Sequence, residues 1–166
     1  MKVLIGVDDS AHADATLEFV QRLSWPADTA VVVCSAVAPP HMAYSSSKNH
    51  LPLGMDVGGW IEGLTKLHED LAARGARKLA DAGLHTQARV LQGDPREALI
   101  EEAKRERADL LVVGSHGHTG LEKLVMGSVA SHMATHAPCS VLVVRRNAHA
   151  VIGRKSPSEE MRRAEH

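Results

Sequence analysis

The chain has 166 residues and balances 19 lysines and arginines against 20 aspartates and glutamates, for a formal net charge of −1 with neutral histidines. This length suits one domain, and the balanced charge and 2% aromatic content argue against a nucleic-acid-binding protein. A hydrophobic fraction of 44% excludes a disordered chain, and no apolar run is long enough for a signal peptide or a membrane span. The two cysteines, Cys34 and Cys139, lack zinc-site spacing, so we expect reduced cysteines in a cytoplasmic protein.

The first third of the chain predicts two strands that flank a helix. Residues 2–8 and 29–37 are short apolar runs, typical of strands that are covered on both faces. Between them, Asp9 or Ser10 is placed to cap a helix. Residues 38–56, rich in proline, serine and glycine, predict a long loop.

The rest of the chain continues the alternation of helices and strands. Asp94 is the expected N-cap of one helix, with Glu97 completing a capping box. The predicted elements are a helix from Ile61 to Gly83, a strand over 87–91, a helix to Arg107, a strand over 109–114, a helix over 128–137 and a strand over 141–144. This alternation predicts an α/β fold with an open parallel sheet and helices on both faces. We expect one domain over residues 1–146 and a polar tail over 147–166.

A glycine-rich connection, residues 114–128, joins the fourth predicted strand to the next helix. Open parallel sheets bind ligands at the carboxyl ends of their strands, where this connection begins. Glycines let a phosphate approach the backbone closely, and the free N–H groups of a helix N-terminus attract anions. The alternative is a pair of glycine turns in a surface loop. The segment matches neither the Walker pattern nor the G-x-G-x-x-G of dinucleotide sites.

The spacing of these glycines resembles the nucleotide motif of the universal stress protein family, which reads Gly, two residues, Gly, nine residues, Gly, then Ser or Thr. The end of the first strand and the Pro-Cys-Ser-Val-Leu-Val-Val run at 138–144 also look like that family. The matching positions are Gly114, Gly117, Gly127 and Ser128 in the motif and Val7, Asp8 and Ser10 after the first strand. The resemblance covers about residues 1–146.

This resemblance implies five parallel strands in the order 3-2-1-4-5, a Rossmann-like arrangement, and an ATP site at the carboxyl edge of the sheet. Because the motif is intact, the chain resembles the ATP-binding subgroup, and the expected ligand is ATP, alone or with Mg. The resemblance also implies a homodimer through Val141 to Val144, an apolar strand expected at the edge of the sheet. The alternative is an edge covered by the tail, which would leave a monomer.

Site residues follow from the same resemblance, position by position. Asp8 is expected to accept hydrogen bonds from the ribose hydroxyls, although it is also placed to act as a helix N-cap. From its place in the loop, and not from the resemblance, His116 is expected to order the loop or approach the phosphates. The adenine is assigned to the backbone near Ala36 and Val37, the nucleoside to Val113 and Gly114, and the phosphates to Gly117, Gly127, Ser128 and Val129.

Other polar groups give weaker signals. The eleven histidines, including the His132 and His136 pair on one helix, lack a completing Asp or Cys, so we expect surface histidines and no metal site. Lys123 could pair with a phosphate or remain solvated. We find no nucleophile with a base partner and expect slow ATP hydrolysis at most.

The favoured function is therefore a nucleotide-responsive stress-response regulator that binds ATP, rather than a fast enzyme. The alternative is a dimeric protective or interaction module whose nucleotide pocket is vestigial or binds another ligand. A third class, the ATP pyrophosphatases, would need a Ser-Gly-Gly phosphate loop after the first strand, where this chain has Asp8-Asp9-Ser10.

Overall fold

The computed structural model describes residues 1–38, 57–117 and 126–146. Its strands pair in parallel in the order β3-β2-β1-β4-β5, which confirms the predicted fold class. The elements are β1 (Lys2–Gly6), α1 (Ala11–Arg22), β2 (Ala30–Val37), α2 (Val57–Ala80), β3 (His85–Gln92), α3 (Pro95–Glu106), β4 (Leu110–Gly114), α4 (Ser128–His136) and β5 (Ser140–Val144). Beyond residue 38, the predicted loop over 38–56 lies outside the described residues, as does the predicted tail over 147–166.

Two apolar layers cover the two faces of the sheet. Val3 and Ile5 of β1 pack with buried residues of α1 and α2, whereas Leu4 packs with buried residues of α3 and α4. All three side chains are fully buried. Burial on both faces explains why the first strand is a continuous apolar run rather than an alternating one.

Side chains cap two of the helices at their N-termini. Ser10, rather than Asp9, caps α1, since its Oγ accepts a hydrogen bond from the Ala13 N–H at 3.2 Å. Asp94 caps α3 as predicted and accepts from the Arg96 N–H at 2.8 Å. The predicted capping box is wrong at Glu97, whose carboxylate is turned toward α4 instead of back to the cap.

The β5 strand lies at one edge of the sheet, and within the described ranges it pairs with β4 alone. The Ser115 N–H donates to the Val144 carbonyl at 2.8 Å, so the main-chain groups of Val144 face β4. Because main-chain groups alternate along a strand, those of Val141 and Val143 face away from β4. An apolar strand thus presents N–H and C=O groups at this edge.

An ion-pair cluster, here called the Arg89 network, joins β1 and β3 to α3; sequence reasoning missed it. The Arg89 guanidinium bonds to both Glu102 and Glu106, and Lys2 Nζ lies 2.8 Å from Glu106 Oε2. Arg105 Nη2 completes the network 2.5 Å from Glu102 Oε2. Hydrogen bonds from Arg89 and Lys2 lower the pKa of Glu106 to about 2. Each charge in this network therefore has an opposite partner.

Candidate functional site

The carboxyl ends of β1 and β4 lie side by side at the centre of the sheet. After β1 the chain passes to α1 on one face, and α4, which comes after β4, packs on the other face. This divergence makes the pair a topological switch point, the usual ligand-binding position in open α/β sheets. The structure thus brings the segments around Asp8 and Gly114 to one place, as predicted.

Asp8 lies at the start of this crevice, directly after β1. Its Oδ1 accepts a hydrogen bond from Ser10 Oγ at 2.5 Å. Its Oδ2 lies 2.6 Å from the point where a Cβ on Gly117 would stand. Because Ser10 caps α1, Asp8 does not have the N-cap role that the sequence left open for it. The carboxylate instead borders the glycine segment.

Gly114 and Gly127 of the motif allow close approach of neighbouring backbone and side-chain atoms. A Cβ on Gly114 would lie 3.2 Å from both Cβ and the carbonyl oxygen of His12, in the first turn of α1. A Cβ on Gly127 would lie 3.2 Å from the Ser115 carbonyl oxygen, which already accepts from the Gly127 N–H at 2.7 Å. The two ends of the glycine segment therefore touch each other at Gly127, where a side chain would push them apart, whereas a side chain on Gly114 would push against α1.

The N-terminus of α4 differs from those of α1 and α3 because its N-cap residue has no side chain that could cap it. Its N-cap is Gly127, which has extended backbone angles (φ −70°, ψ 163°) and makes no side-chain capping bond. The first-turn N–H groups of an uncapped helix carry a partial positive charge and bind anions. Ser128, the first helical residue, is exposed beside them. Val129 is half-buried and packs against the layer formed by α3 and α4.

The end of β2 borders the same crevice. β1 pairs with β2 as far as Gly6 with Cys34, whereas β2 continues beside β3 to Val37. The Cys34 carbonyl accepts from the Val7 N–H at 2.8 Å, so by alternation the main-chain groups of Ala36 face the space beyond β1. The Val37 carbonyl already accepts from the Gly93 N–H at 2.9 Å. Of the two residues assigned to adenine, Ala36 therefore has the better-placed backbone.

Two assigned side chains lie in the core rather than in the crevice. Val113 is 2% exposed and Val37 is 4% exposed, and Val113 packs among the buried residues of the α3 and α4 layer. Only main-chain atoms of these residues are available to a ligand. For Val37 the prediction named the backbone, whereas for Val113 it did not separate main-chain from side-chain roles, because an apolar strand residue carries no distinctive chemistry.

Two histidines meet at the start of the glycine segment. The ring centroids of His12 and His116 lie 5.2 Å apart with an interplanar angle of 45°. His116 Nδ1 is 3.1 Å from the Oγ atom of the preceding residue, Ser115. His12 was missed by sequence reasoning. Its only signal there was its position two residues after the helix cap.

A second serine–histidine pair, also missed, ties α2 to the ends of β1 and β2. Ser35 Oγ donates to the Val7 carbonyl at 2.9 Å and lies 2.8 Å from His68 Nδ1. Since the Ser35 proton is used by Val7, His68 is the donor in the second bond. Ser35 is also 1% exposed, so the pair is a structural contact rather than a nucleophile with its base.

The histidines of α4 form a stacked pair, with ring centroids 4.3 Å apart. His132 Nε2 lies 3.5 Å from Glu97 Oε1, and the His132 side chain is 23% exposed. His132, expected to be a surface histidine, is therefore only partly exposed, because α4 packs beside the first turn of α3. No group of three or more His, Cys, Asp or Glu in the described ranges is arranged to hold a metal ion. His118 and Lys123 lie outside those ranges.

A cavity of about 300 Å³ adjoins Asp8 on the α1 side. Asp9, Asp14, Arg74 and Lys78 contribute charged groups to its lining. Charges of both signs mark it as a polar crevice between α1 and α2.

Among the described helices, none has the length and apolar character required to cross a bilayer.

Curated proteins similar to this chain include universal stress proteins from distant organisms. The universal stress protein MJ0531 of Methanocaldococcus jannaschii is 37% identical over 92 residues, which cover 54% of this chain and 54% of that one. A universal stress protein A-like protein of Arabidopsis thaliana is 38% identical over 71 residues, covering 43% of this chain and 41% of that one. The chain thus spans about half the length of these relatives, or less.

Solved structures with the same fold cover most of the chain. The structure of MJ0577 superposes with a TM-score of 0.75 at 22% identity, covering 89% of this chain and 96% of that one. An Arabidopsis thaliana universal stress protein family protein with AMP bound gives a TM-score of 0.61 at 22% identity, covering 89% and 93%. A universal stress protein in complex with cAMP gives 0.58 at 21% identity, covering 87% and 96%. These likenesses confirm the fold.

The match to a family is broader than any of these pairwise alignments. The model of the universal stress protein family matches residues 1–145, a range that contains every described strand and helix. The chain is therefore a member of the universal stress protein family.

Proposed function

We propose that this protein binds an adenine nucleotide, with ATP as the expected ligand, between the carboxyl ends of β1 and β4. The observation that carries the proposal is the uncapped N-terminus of α4, which lies at the switch point together with Asp8 and Gly117. A carboxylate suits the paired hydroxyls of a ribose, and free helix N–H groups suit phosphates. Structures of the same fold with AMP and with cAMP bound support this choice of ligand class.

In the proposed complex, each part of the nucleotide meets a different element. Asp8 accepts from the ribose hydroxyls, and the main chain of Ala36 faces the adenine. The phosphates lie against Gly117 and the first turn of α4, where Ser128 adds a hydroxyl. Mg²⁺ would be held mainly by phosphate oxygens and water, as is usual for this ion at nucleotide sites.

We propose that the bound nucleotide signals a state of a cytoplasmic stress-response regulator rather than serving as a substrate for rapid turnover. Both serine–histidine contacts in the described residues support this. In the Ser35 pair the histidine is the donor, and in the other pair Ser115 is 1% exposed, so its hydroxyl is not accessible to a substrate. Neither arrangement provides a general base for a water or hydroxyl nucleophile.

Mass spectrometry of small molecules released from freshly purified protein tests the ligand. We expect an adenine nucleotide, and calorimetric titration of the emptied protein should show ATP binding. Asp8→Asn, which keeps the shape but removes the charge, should weaken ATP binding about tenfold. Asp28→Asn is the matched control, because Asp28 lies in a turn at positive φ, where asparagine is well tolerated. No released nucleotide and no ATP binding would favour the vestigial-pocket alternative.

We also propose that the chain forms a homodimer through antiparallel pairing of Val141 to Val144 with their copies. The outward-facing main-chain groups of Val141 and Val143 support this, because an unpaired apolar edge favours pairing. Val143→Pro deletes one outward N–H and should weaken the dimer, whereas Val143→Thr keeps that N–H and the branched shape. Light scattering at micromolar concentration should give twice 17.8 kDa for the wild type, and a mass near 17.8 kDa would reject the dimer.

A further inference from the structure

Phe19, the single phenylalanine of the chain, lies on α1 and is 42% exposed. It follows His12 by seven residues, which is nearly two helical turns, so the two side chains share one side of the helix. On another side of the helix, the Gln21 side chain donates to the Lys78 carbonyl of α2, which packs over β2 and β3. Because His12 contacts Gly114 at the end of β4, the Phe19 side of α1 is turned toward β4 and β5.

Phe19 also lies level with the first half of β5. The helix runs antiparallel to the strands, because it connects the carboxyl end of β1 to the amino end of β2. Seven residues of helix rise about 10.5 Å, which is the length of about three strand residues. Three residues before Val144, the partner of Gly114 in the sheet, β5 has Val141. Beside it, the half-buried Leu142 packs on the α1 face of the sheet, so this face carries two large apolar side chains next to the β5 edge.

Strand geometry limits how β5 can pair with its own copy. A two-fold axis perpendicular to the sheet leaves α1 of both subunits on the same face. Residues opposite each other in an antiparallel pair point to the same face, so Leu142 can lie opposite its copy but not opposite Val143, which packs on the α4 face. Pairing of the complete strand, Ser140–Val144, with itself centres the axis on Leu142. The main-chain groups of Leu142 face β4, as those of Val144 do, so this central pair has no hydrogen bonds and its Cα atoms lie about 4.5 Å apart.

The paired strands need support from the helices beside them. An isolated pair of short strands is only marginally stable, whereas stable interfaces bury about 1,200–2,000 Å² in total. Since α1 contacts β4 and β5, its two copies would lie about 10–14 Å apart across the axis, at about 4.8 Å per strand spacing. Closely packed helices are about 8–10 Å apart, so this gap has room for a large side chain from each helix. Phe19 is the side chain placed there.

Building on the proposed homodimer, we propose that Phe19 and Leu142 form an apolar cluster with their copies over the two-fold axis. This cluster, here called the α1-face cluster, joins α1 of one subunit to α1 of its partner and fixes the register in which the two β5 strands pair. The partner that fits this surface is therefore a second copy of this chain. The exposed part of the Phe19 ring becomes buried at the centre of the interface, where aromatic side chains contribute most to affinity.

Analytical ultracentrifugation of the full chain over a dilution series tests the cluster. Phe19→Ala should raise the dissociation constant of the dimer about 30-fold, because each dimer loses two buried phenyl rings. Leu67→Ala is the matched control, since Leu67 is also 42% exposed but lies on α2, over β2 and β3. This control should dimerise like the wild type. Circular dichroism verifies the fold of both variants.

Cysteine substitutions test the register without weakening the helix contact. Leu142→Cys should give a disulfide-linked dimer on mild oxidation, because its two Cα atoms would lie within the range of about 4.4–6.8 Å that a disulfide spans. Val143→Cys is the control, since its two copies would be diagonal neighbours, about 7–8 Å apart. Mass mapping without reduction separates this disulfide from any that involves the free cysteines Cys34 and Cys139.

The outcomes separate this inference from the proposed homodimer. A monomeric wild type would overturn the homodimer, and the α1-face cluster with it, and would mean that something other than a second copy covers the β5 edge. An equal dissociation constant in wild type and folded Phe19→Ala protein would overturn the role of Phe19 and leave the homodimer intact. Crosslinking of Val143→Cys in place of Leu142→Cys would overturn the register centred on Leu142.

Discussion

The Arg89 network and the carboxyl edge of the sheet satisfy their charges in opposite ways. In the network, Arg89, Glu102 and Glu106 are held by one another and by neighbouring cations. At the carboxyl edge, the N-cap residue of α4 is a glycine, and His12 Nδ1 has no hydrogen-bond partner among residues 1–38, 57–117 and 126–146. Charged groups that already have an opposite partner contribute little to ligand binding, whereas polar groups without a partner are available to a ligand.

This contrast teaches which substitutions should affect stability and which should affect binding. Removing a member of the network leaves a partly buried charge without its partner, which lowers the free energy of unfolding. Changing the carboxyl edge removes donors that a ligand would use. The two regions are therefore expected to respond independently to mutation.

The largest effect is expected for Gly127→Val, which should weaken ATP binding more than 100-fold. The backbone angles of Gly127 suit any residue, but its Cβ would lie 3.2 Å from the Ser115 carbonyl oxygen. The branched side chain would displace the first turn of α4 and cost at least two charge-assisted hydrogen bonds, or about 3 kcal/mol. Calorimetry measures the affinity, and circular dichroism verifies the fold.

Gly63→Ala is the matched control for this glycine substitution. Gly63 lies within α2, and nothing stands within 4 Å of the position of its Cβ. This variant should bind ATP like the wild type and unfold with about 0.5–1 kcal/mol more free energy, because alanine favours helix. Undiminished ATP affinity in folded Gly127→Val protein would remove α4 from the site.

The next effect is on stability. Arg89→Ala should lower the free energy of unfolding by about 2–3 kcal/mol, because Glu102 is 5% exposed and would keep only Arg105 as a partner. Arg96→Ala is the control, since Arg96 is half-exposed in its pair with Asp94 and should contribute about 1 kcal/mol or less. Urea denaturation measures both. A changed ATP affinity in folded Arg89→Ala protein would contradict the independence of the two regions.

Sequence patterns predicted the sheet well because its constraints are local and repetitive. Apolar runs such as residues 2–8, followed by a helix cap at Ser10, gave the elements in the correct order. The strand order came from the family resemblance rather than from the residues themselves. Strand ends shifted by one or two residues, as at β3, which begins at His85 rather than at residue 87, where exposed residues weaken the apolar signal.

The network and the histidine pair could not be predicted because they join residues that are distant along the chain. Arg89 and Glu106 meet only through the packing of α3 on β3, and His12 meets His116 only because β1 and β4 are adjacent. The direction of a side chain on a short helix likewise depends on tertiary packing. The partial burial of His132 could not be predicted, because the approach of α3 to α4, which brings Glu97 beside it, leaves no periodic signal in the sequence.

Stability measurements at several pH values test the contribution of Glu106 to the Arg89 network. Its pKa is lowered from 4.5 to about 2 by Arg89 and Lys2, so the stabilisation it provides is complete above pH 4.5 and is lost as pH falls toward 2. Glu106→Gln should cost about 1–2 kcal/mol at pH 7, after allowance for solvent screening, and this difference should shrink toward zero near pH 2.

Urea denaturation at pH 7, 4 and 3 measures this convergence. Glu101→Gln is the control, because Glu101 is 69% exposed in its pair with Lys104 and should follow the wild type at each pH. A constant difference between wild type and Glu106→Gln across the series would show that the Glu106 contribution is packing rather than charge.

The smallest effects come from two serines at helix starts, and they compare capped and uncapped helices directly. Ser10→Ala removes the bond from the Ala13 N–H and should lower the free energy of unfolding by about 1 kcal/mol. Ser128→Ala removes no capping bond and should change stability by less than about 0.3 kcal/mol, yet weaken ATP binding about fivefold through loss of one hydroxyl donor. Thermal denaturation and calorimetry on both variants distinguish the two roles. Equal destabilisation by both substitutions would mean that Ser128 stabilises the start of α4 as Ser10 stabilises α1, and the Ser128 hydroxyl would then not be available to a phosphate.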